Sequence, residues 1–542
     1  MAEVFLRKVM LFMATQIQIS QLNVSAGGRR LLQNASVAFR PGELTLLLGC
    51  SGVGKSVLLR ILAGLIESGP ASPIQYTGDI QFCIRSGDSA DFKAVEERPL
   101  IAVVFQNFAL LDELTPLQNV RIAMDHVLSS PGSDRSALAT SLLNDLSVPT
   151  DRSTGVLSGG QRQRLAIARA VGMQTDVILY DEPTSGLDVN TGAQVANLIR
   201  ETHDRYGRTS IIVTHDYESL SQIADRIVLL DHHHQCLVEL PREDWGKVSE
   251  ILGKPPSLGG EKSLEMTGPG TAILNRLTRS LEMTGEAVGE VLLLPWSLLP
   301  IWRSIVWGAR STVHYLRLVA GPSACVYIAA AGMIIGYVAQ DFIFRYLPFR
   351  KITEPLLTEN LLNATGFSLY RFLVPILSTI LIAARSGAAV AADVGSKVYG
   401  SQIDAMKTIG MNPERTLRTP ILYAFLVGTP FLTFFSYAVA SVTAAFAFSS
   451  THGDLGIAFW DLHFHQALRT PDGIWYKGSG WLFAKLLTCG IGIGMISWRC
   501  GISPKESGPE ISHGVTRTIL WSTLYVLLVH FVYSLFEFKA TI

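Results

Sequence analysis

Residues Thr419 to Thr451 contain no Asp, Glu, Lys or Arg. A charge-free run of that length restricts what the chain can become more than any other stretch in it. About 20 apolar residues suffice to cross ~30 Å of hydrocarbon as a helix, and a backbone in lipid must satisfy its own hydrogen bonds. The run is not alone. Leu318 to Ala339 is also free of charge and carries Gly332 and Gly336 at the spacing that permits close helix–helix approach. Further spans are expected at about Phe372 to Ala392, Trp481 to Trp498, where Lys485 can snorkel toward one end, and Thr518 to Phe536. The second half of the chain therefore reads as an all-α polytopic membrane domain with five spans. Thr271 to about Val319, which contains Trp296, Trp302 and Trp307 near two prolines, reads as an amphipathic interfacial segment.

The first half has a different texture, alternating charged and apolar segments in the manner of an α/β domain. Its centre is Gly49-Cys50-Ser51-Gly52-Val53-Gly54-Lys55-Ser56, which fits the phosphate-binding loop G-x-x-x-x-G-K-[ST]. Small residues let successive backbone N–H groups converge on phosphate oxygens. Lys55 supplies a mobile charge for the outer phosphates, and the Ser56 hydroxyl is placed to ligate Mg²⁺. Leu44 to Leu48 reads as the strand entering the loop and Leu58 to Leu65 as part of the helix leaving it.

Five further elements follow. Gln106 comes after the apolar strand Ile101–Phe105 and can reach both metal and water. Leu157-Ser158-Gly159-Gly160-Gln161 opens a helix and makes a second anion site. One nucleotide has a single γ-phosphate, so a second site implies two chains facing head to tail, each Ser158 closing over the partner's nucleotide. The strand Val177–Tyr180 ends in Asp181, expected to hold Mg²⁺ through water, and Glu182, expected to polarise the attacking water. His215 ends the strand from Ser210 toward the γ-phosphate, and Asp188 lies on the expected dimer seam.

This set resembles the nucleotide-binding domain of an ABC transporter over roughly residues 16 to 250. The resemblance implies ATP and Mg²⁺ as cofactors and ATP hydrolysis as the activity. It makes Glu182, His215 and Gln106 the catalytic set, Ser56, Gln106 and Asp181 the metal set, and a second copy of the chain the partner. One departure concerns the base: no aromatic lies between Ile17 and Ala38, and Val24 holds the position where the family stacks adenine.

Within the membrane half, Ala384-Arg385-Ser386-Gly387-Ala388-Ala389-Val390-Ala391-Ala392-Asp393-Val394-Gly395, then Ser401 through Pro413, resembles the Mla-type permease of MCE-linked lipid-transport systems. The likeness spans most of residues 275 to 540. Departures stand at Phe372, Lys407 and Asn412, in place of two acidic positions and an Asp. The fold class expected is thus an α/β P-loop ABC ATPase domain followed by that polytopic helical domain. Residues 1–15 form an N-terminal extension, with Met1 or Met13 as the start. The ATPase covers 16–252, a Gly/Pro/Ser-rich linker 253–270, the interfacial segment 271–317 and the permease 318–542. Arg385 and Asp393 are ~12 Å apart along a helix, too far to pair, and flank the cytosolic boundary or line a polar cavity. With Gln402 and Asp404 they make up the expected coupling segment, and Ser401 to Met411 forms a short helix docking on the ATPase.

The resemblance implies an integral membrane protein of the bacterial inner membrane with its ATPase in the cytosol. An MCE-type lipid-binding protein, membrane lipids and a small regulatory subunit follow as partners. A formal net charge of zero argues against a nucleic-acid-binding surface. Loops 395–418 and 499–517 are richer in Lys and Arg than 449–477, in keeping with the positive-inside bias. His452, His463 and His465 sit in that outer loop, where the latter two would share one face of a strand; they read as solvated or metal-binding. Asp231-His232-His233-His234 reads as a solvated hairpin turn, with metal binding as the other option. Two other uses of the same chassis stay open: an exporter of hydrophobic compounds without an MCE partner, and a membrane scaffold with a regulatory ATPase.

Overall fold

The computed structural model describes residues 15–69, 72–85, 92–95, 97–127, 134–187, 189–248, 289, 294–300, 302, 304–346, 350–470, 473, 475–505 and 507–537. The linker 253–270, Met13, Asp188 and most of 271–293 lie outside the described residues. The chain forms two compact units: Met1–Arg276 joined by Gly400–Asn412, and Leu277–Tyr399 with Pro413–Ile542.

In the first unit, strands β1 (Thr15–Ala26), β2 (Arg29–Phe39), β4 (Ile74–Arg85) and β5 (Phe92–Ala94) form an antiparallel sheet in the order β2-β1-β4-β5. Buried Ile17 and Ile19, and after a register shift Leu22 and Val24, alternate with more exposed polar residues on β1, the period-two pattern of a sheet covered on one face. Val24 is 2% exposed and belongs to this core, so its side chain offers no face to a base. The missing aromatic at this position is thus matched by a side chain turned into the core.

A second sheet runs β10-β9-β3-β8-β7-β6. Its strands β3 (Leu44–Leu48), β6 (Ala102–Val104), β7 (Val177–Asp181), β8 (Thr209–Thr214) and β9 (Arg226–Asp231) are parallel to their neighbours, and β10 (Cys236–Leu240) is antiparallel to β9. Every residue of β3, β7 and β8 is buried, as expected of strands covered on both faces. Because Leu48 pairs Thr214 and Asp181 pairs Val213, the carboxyl ends of β3, β8 and β7 finish at one edge. His232, His233 and His234 lie in the turn between β9 and β10, and no group of three metal-ligating side chains occurs among the described residues.

The second unit is helical. Among the described residues, five stretches are long and apolar enough to cross a membrane: Ile305–Arg345, Leu357–Tyr399, Glu414–Thr451, Ser479–Ile502 and Gly508–Glu537. The first contains two helices, Ile305–Ala320 and Pro322–Arg345, meeting at Gly321. Arg385 donates to the Leu318 carbonyl at 2.8 Å and to Ser323 Oγ at 2.6 Å, holding that junction. Asp393 instead accepts from Tyr315 Oη at 3.0 Å and Lys397 Nζ at 2.9 Å. The helix Pro322–Arg345 packs in parallel along Thr419–Thr451. A Cβ on Gly332 would lie 2.6 Å from the Ser436 carbonyl oxygen, and one on Gly336 would lie 2.2 Å from that of Ala440. Backbone cannot yield there as a side chain can, so Gly336→Leu should lower the thermal midpoint in detergent by several degrees, an overpacking cost of about 1–3 kcal/mol or more. Gly453→Ala, with nothing within 4 Å of its added Cβ, should leave the midpoint unchanged.

Two expectations for this unit change. Lys485 does not snorkel: it is 1% exposed, 2.8 Å from Glu537 Oε2, and donates to the Arg371 carbonyl at 3.3 Å. Arg371 Nε lies 2.6 Å from Glu537 Oε1, so one carboxylate from the last helix is shared by cations from two others. The acid that the family resemblance places at position 372 is Phe372 here; the carboxylate beside Arg371 is that of Glu537. His463 and His465 lie on and just beyond the helix Gly456–Phe464 rather than on a strand. His465 stacks on Tyr476 and meets Asp461 at 3.0 Å, and His463 packs on Phe459. Neither is a solvated loop side chain.

Candidate functional site

The loop after β3 enters the helix Lys55–Leu62 through Gly54, whose φ of 107° lies in the left-handed region. Gly52, at φ 76°, has nothing within 4 Å of an added Cβ, so the loop wall is open to a ligand at that point. Lys55 is 5% exposed and its Nζ donates back to the Gly49 and Cys50 carbonyls at 2.7 and 3.0 Å. Burial draws its ammonium below the ordinary lysine range, and the Glu182 carboxylate opposes that. Cys50 and Ser51 begin the loop, and Val53 is buried against the sheet.

Ser56 Oγ donates to Asp181 Oδ1 at 3.1 Å, linking the helix start to the end of β7. A hydroxyl and a carboxylate side by side are hard oxygen donors of the kind Mg²⁺ takes. Asp181 is 7% exposed, and burial holds its carboxyl above the usual range despite the Ser56 hydrogen bond. A carboxyl whose folded pKa lies above its unfolded value binds its proton more readily in the fold. Metal-free stability therefore falls as pH rises from the ordinary carboxylate range toward the raised one. Asp181→Asn should raise the thermal midpoint in EDTA near neutral pH, with the gain shrinking on acidification. A gain that is independent of pH would overturn the assignment.

Glu182 follows β7 with φ 46°, a conformation uncommon outside glycine and asparagine, fixed by its N–H donating to the Val213 carbonyl at 2.8 Å. Its Oε1 lies 3.0 Å from His215 Nδ1, and its Oε2 accepts from Gln106 Nε2 at 3.3 Å. Gln106 also reaches Ser185 Oγ at 3.4 Å. Glu182, His215 and Gln106 thus converge from three neighbouring strand ends beside the Ser56–Asp181 pair. Gln106 itself is followed by Phe108 and Ala109 at positive φ, whose carbonyls accept from buried Arg169 at 3.1 and 2.6 Å.

Residues Leu157 to Gln161 stand apart from this cluster in sequence and role. Ser158 caps the helix Gly159–Gly172, its Oγ accepting from the Gln161 N–H while Gln161 Oε1 accepts from the Ser158 N–H. Leu157 is buried, Ser158 and Gly159 are exposed, and neither Gly159 nor Gly160 has an atom within 4 Å of an added Cβ. The helix start is therefore free to receive an anion. Asp188 falls outside the described residues.

Sequence reading missed the groups that receive the segment 400–412. The helix Gln402–Thr408 packs inside the first unit: Ala405 shares a buried cluster with Leu58, Leu62 and Ile101. Gln402 Nε2 donates to Asp112 Oδ2 at 3.0 Å, and Asp404 lies 3.8 Å from Arg60. Asp112 and Arg60 carry no local signal, since a lone acid or base on a surface has meaning only once its partner is known. Arg385 and Asp393 stay in the second unit.

Two family models match this chain. Residues 32–185 match the ABC transporter family, and residues 317–536 match the permease MlaE family. The first half is thus an ABC transporter ATPase domain, and an MlaE permease domain is fused behind it. Curated relatives cover the ATPase half. A sulfate/thiosulfate import ATP-binding protein of Bordetella bronchiseptica is 34% identical over 234 residues, 42% of this chain and 63% of that protein. A methionine import ATP-binding protein of Lactobacillus johnsonii is 32% identical over 220 residues, 40% of this chain and 63% of that protein. The chain thus spans about two thirds or less of these relatives' length. The dimeric structure of a bacterial ABC transporter cassette covers 42% of this chain and 99% of its own, at 28% identity and a TM-score of 0.34.

Proposed function

We propose that two copies of this chain form an ATP-driven lipid translocator in a bacterial inner membrane, with the ATPase units in the cytosol. The fusion of an ABC ATPase domain to an MlaE permease domain carries this reading. An MCE-type lipid-binding protein, and a small regulatory subunit, complete the assembly.

In this reading Lys55 and the Gly49–Ser56 backbone cradle the outer phosphates, while Ser56, Asp181 and Gln106 hold Mg²⁺, which neutralises charge on the phosphates when bound. Glu182 orients and polarises water, with His215 keeping its carboxylate turned toward the site and contacting the γ-phosphate. Exposed Ser158 and Gly159, with Gly160 beside them, close on the partner copy's nucleotide, with Asp188 on the seam. Fusion also gives the two halves a fixed one-to-one ratio and a high effective concentration for each other. The helix Gln402–Thr408, entered from Tyr399 and left at Pro413, passes the closing motion to the membrane helices.

Co-purification and vesicle transfer test the assembly. A stable complex with an MCE protein and ATP-dependent phospholipid transfer is the expected result; an active homodimer moving hydrophobic compounds without that partner favours export instead. Coupling is tested at Gln402. Gln402→Ala leaves Asp112 without its donor, and Asp404→Ala removes a half-exposed pair worth little alone. The double variant should keep basal ATP hydrolysis while ATP-dependent transfer falls by about 10-fold. Equal transfer in variant and wild type would remove the coupling role.

A further inference from the structure

The turn that carries Gln106 away from β6 continues through Phe108 and Ala109, at φ 60° and 49°. Positive φ is uncommon outside glycine and asparagine, and two such residues in succession hold strain that their surroundings must fix. Arg169 supplies that fixing. It is 2% exposed and lies in the last turn of the helix Gly159–Gly172, donating to the Ala109 carbonyl at 2.6 Å and to the Phe108 carbonyl at 3.1 Å. No carboxylate among the described residues pairs with it, and burial draws its pKa down to about 10, which leaves the guanidinium charged near neutral pH. A buried charge that faces only carbonyl dipoles is costly to keep. A methionine would fill much of the same space without that cost. What the guanidinium adds is a planar fork that fixes two successive carbonyls at once.

The same stretch is tied a second time to the segment around Ser158. Asn119 is fully buried; it accepts from the Leu111 N–H at 2.9 Å and donates to the Leu111 carbonyl at 3.0 Å, with Thr154 Oγ1 3.4 Å away. The Thr154 hydroxyl donates to the Leu114 carbonyl and opens the turn Thr154–Val156, which leads into Leu157 and Ser158. Residues 106–114 are thus held both from just before Ser158 and from the helix behind it. At their start Gln106 lies 3.3 Å from Glu182 Oε2 and 3.4 Å from Ser185 Oγ. We infer that Arg169 is a positioning residue for ATP hydrolysis, which locks the 106–109 turn and so holds Gln106 at Glu182 from the helix that Ser158 caps. The inference rests on the role proposed above for Gln106 and names the group that keeps it in place. Charge alone does not suffice, because a lysine ammonium is a point donor and cannot hold both carbonyls in one plane.

Full-length Arg169→Met and Arg169→Lys are compared with wild type and with Gln106→Ala for ATP hydrolysis per folded protein, its Mg²⁺ dependence and the thermal midpoint. Arg169→Met should lower kcat by about 10-fold and raise the Mg²⁺ concentration needed for half the maximal rate. Arg169→Lys should fall between it and wild type. Because Arg169 acts through Gln106, the double variant Gln106→Ala with Arg169→Met should be no slower than Gln106→Ala alone. A lower midpoint with wild-type kcat and Mg²⁺ dependence is the behaviour of a residue that only holds the fold, and would overturn the inference. A wild-type rate in Arg169→Lys would overturn it too, which keeps the test decisive where Arg169→Met does not fold. A slow Gln106→Ala whose effect multiplies with that of Arg169→Met removes the positioning role and leaves Gln106 in the site. Gln106→Ala at the wild-type rate instead removes the role proposed for Gln106 itself.

Discussion

Glu182→Gln should cut steady-state ATP hydrolysis by roughly 10²–10⁴-fold, the range expected when a positioned general base is lost, with ATP affinity near that of wild type. Glutamine keeps the shape of the side chain and its Oε1 can still meet His215, 3.0 Å away in the wild type. It loses the negative charge, and its amide N–H turns toward Gln106 Nε2, itself a donor, 3.3 Å from the native carboxylate. The phosphate cradle around Gly52, Lys55 and Ser56 does not involve the Glu182 carboxylate directly. Binding and hydrolysis should therefore separate. Phosphate release measures the second and a fluorescent ATP analogue the first. The variant should also retain ATP through desalting, since the reset step is blocked. Hydrolysis at the wild-type rate would remove Glu182 from its role and leave His215 or Gln106 to be examined.

Glu537→Gln should be the most destabilising single change in the membrane domain outside the helix crossings. The Glu537 carboxylate is fully covered and lies 2.6 Å from Arg371 Nε and 2.8 Å from Lys485 Nζ, with Lys485 itself 1% exposed. Removing the shared anion leaves two buried cations facing each other, and breaking a buried ion pair from one side costs about 3–5 kcal/mol. Arg371 also donates to the Lys477 carbonyl at 2.6 Å, crossing over Gly478, where a Cβ would fall 1.2 Å from its guanidinium. That contact survives the substitution, so Arg371 stays in place while Lys485 is stranded. Lys485→Met combined with Glu537→Gln should recover much of the loss, because the uncompensated ammonium is then gone. Thermal unfolding of the two single variants and the double one gives the coupling between these residues. An additive double variant would show that the cations do not share the carboxylate.

The ATPase site was readable because its chemistry demands residue types at fixed spacing. A phosphate loop needs glycines and a lysine within eight residues, and carboxylates at a strand end must follow an apolar run such as Val177–Tyr180. Those constraints are local, and the pairing of Leu48 with Thr214 and Asp181 with Val213 turns them into one site. Val24 shows where local reading stops. The sequence offers no aromatic there for the base, and only the strand register shows that the side chain turns into the core. His463 and His465 failed for a related reason: two residues share a face on a strand but not on a helix, and the period of a short aromatic segment is ambiguous.

The five spans were legible for a different reason, since hydrocarbon tolerates only long apolar helices, whatever their neighbours. What those helices do to one another was not. Lys485 near the end of an apolar run reads as a snorkelling cation until Glu537, 52 positions later, is brought against it. Asp112 and Arg60 become docking groups only beside Gln402 and Asp404. Sequence by itself determined the two domain types, the phosphate-loop pattern and the carboxylate-bearing strand end, because each is enforced by spacing along one stretch of chain. Tertiary structure alone decided the ion triad and the docking of 402–408, because the energy of a buried charge depends on partners that the chain supplies from far away.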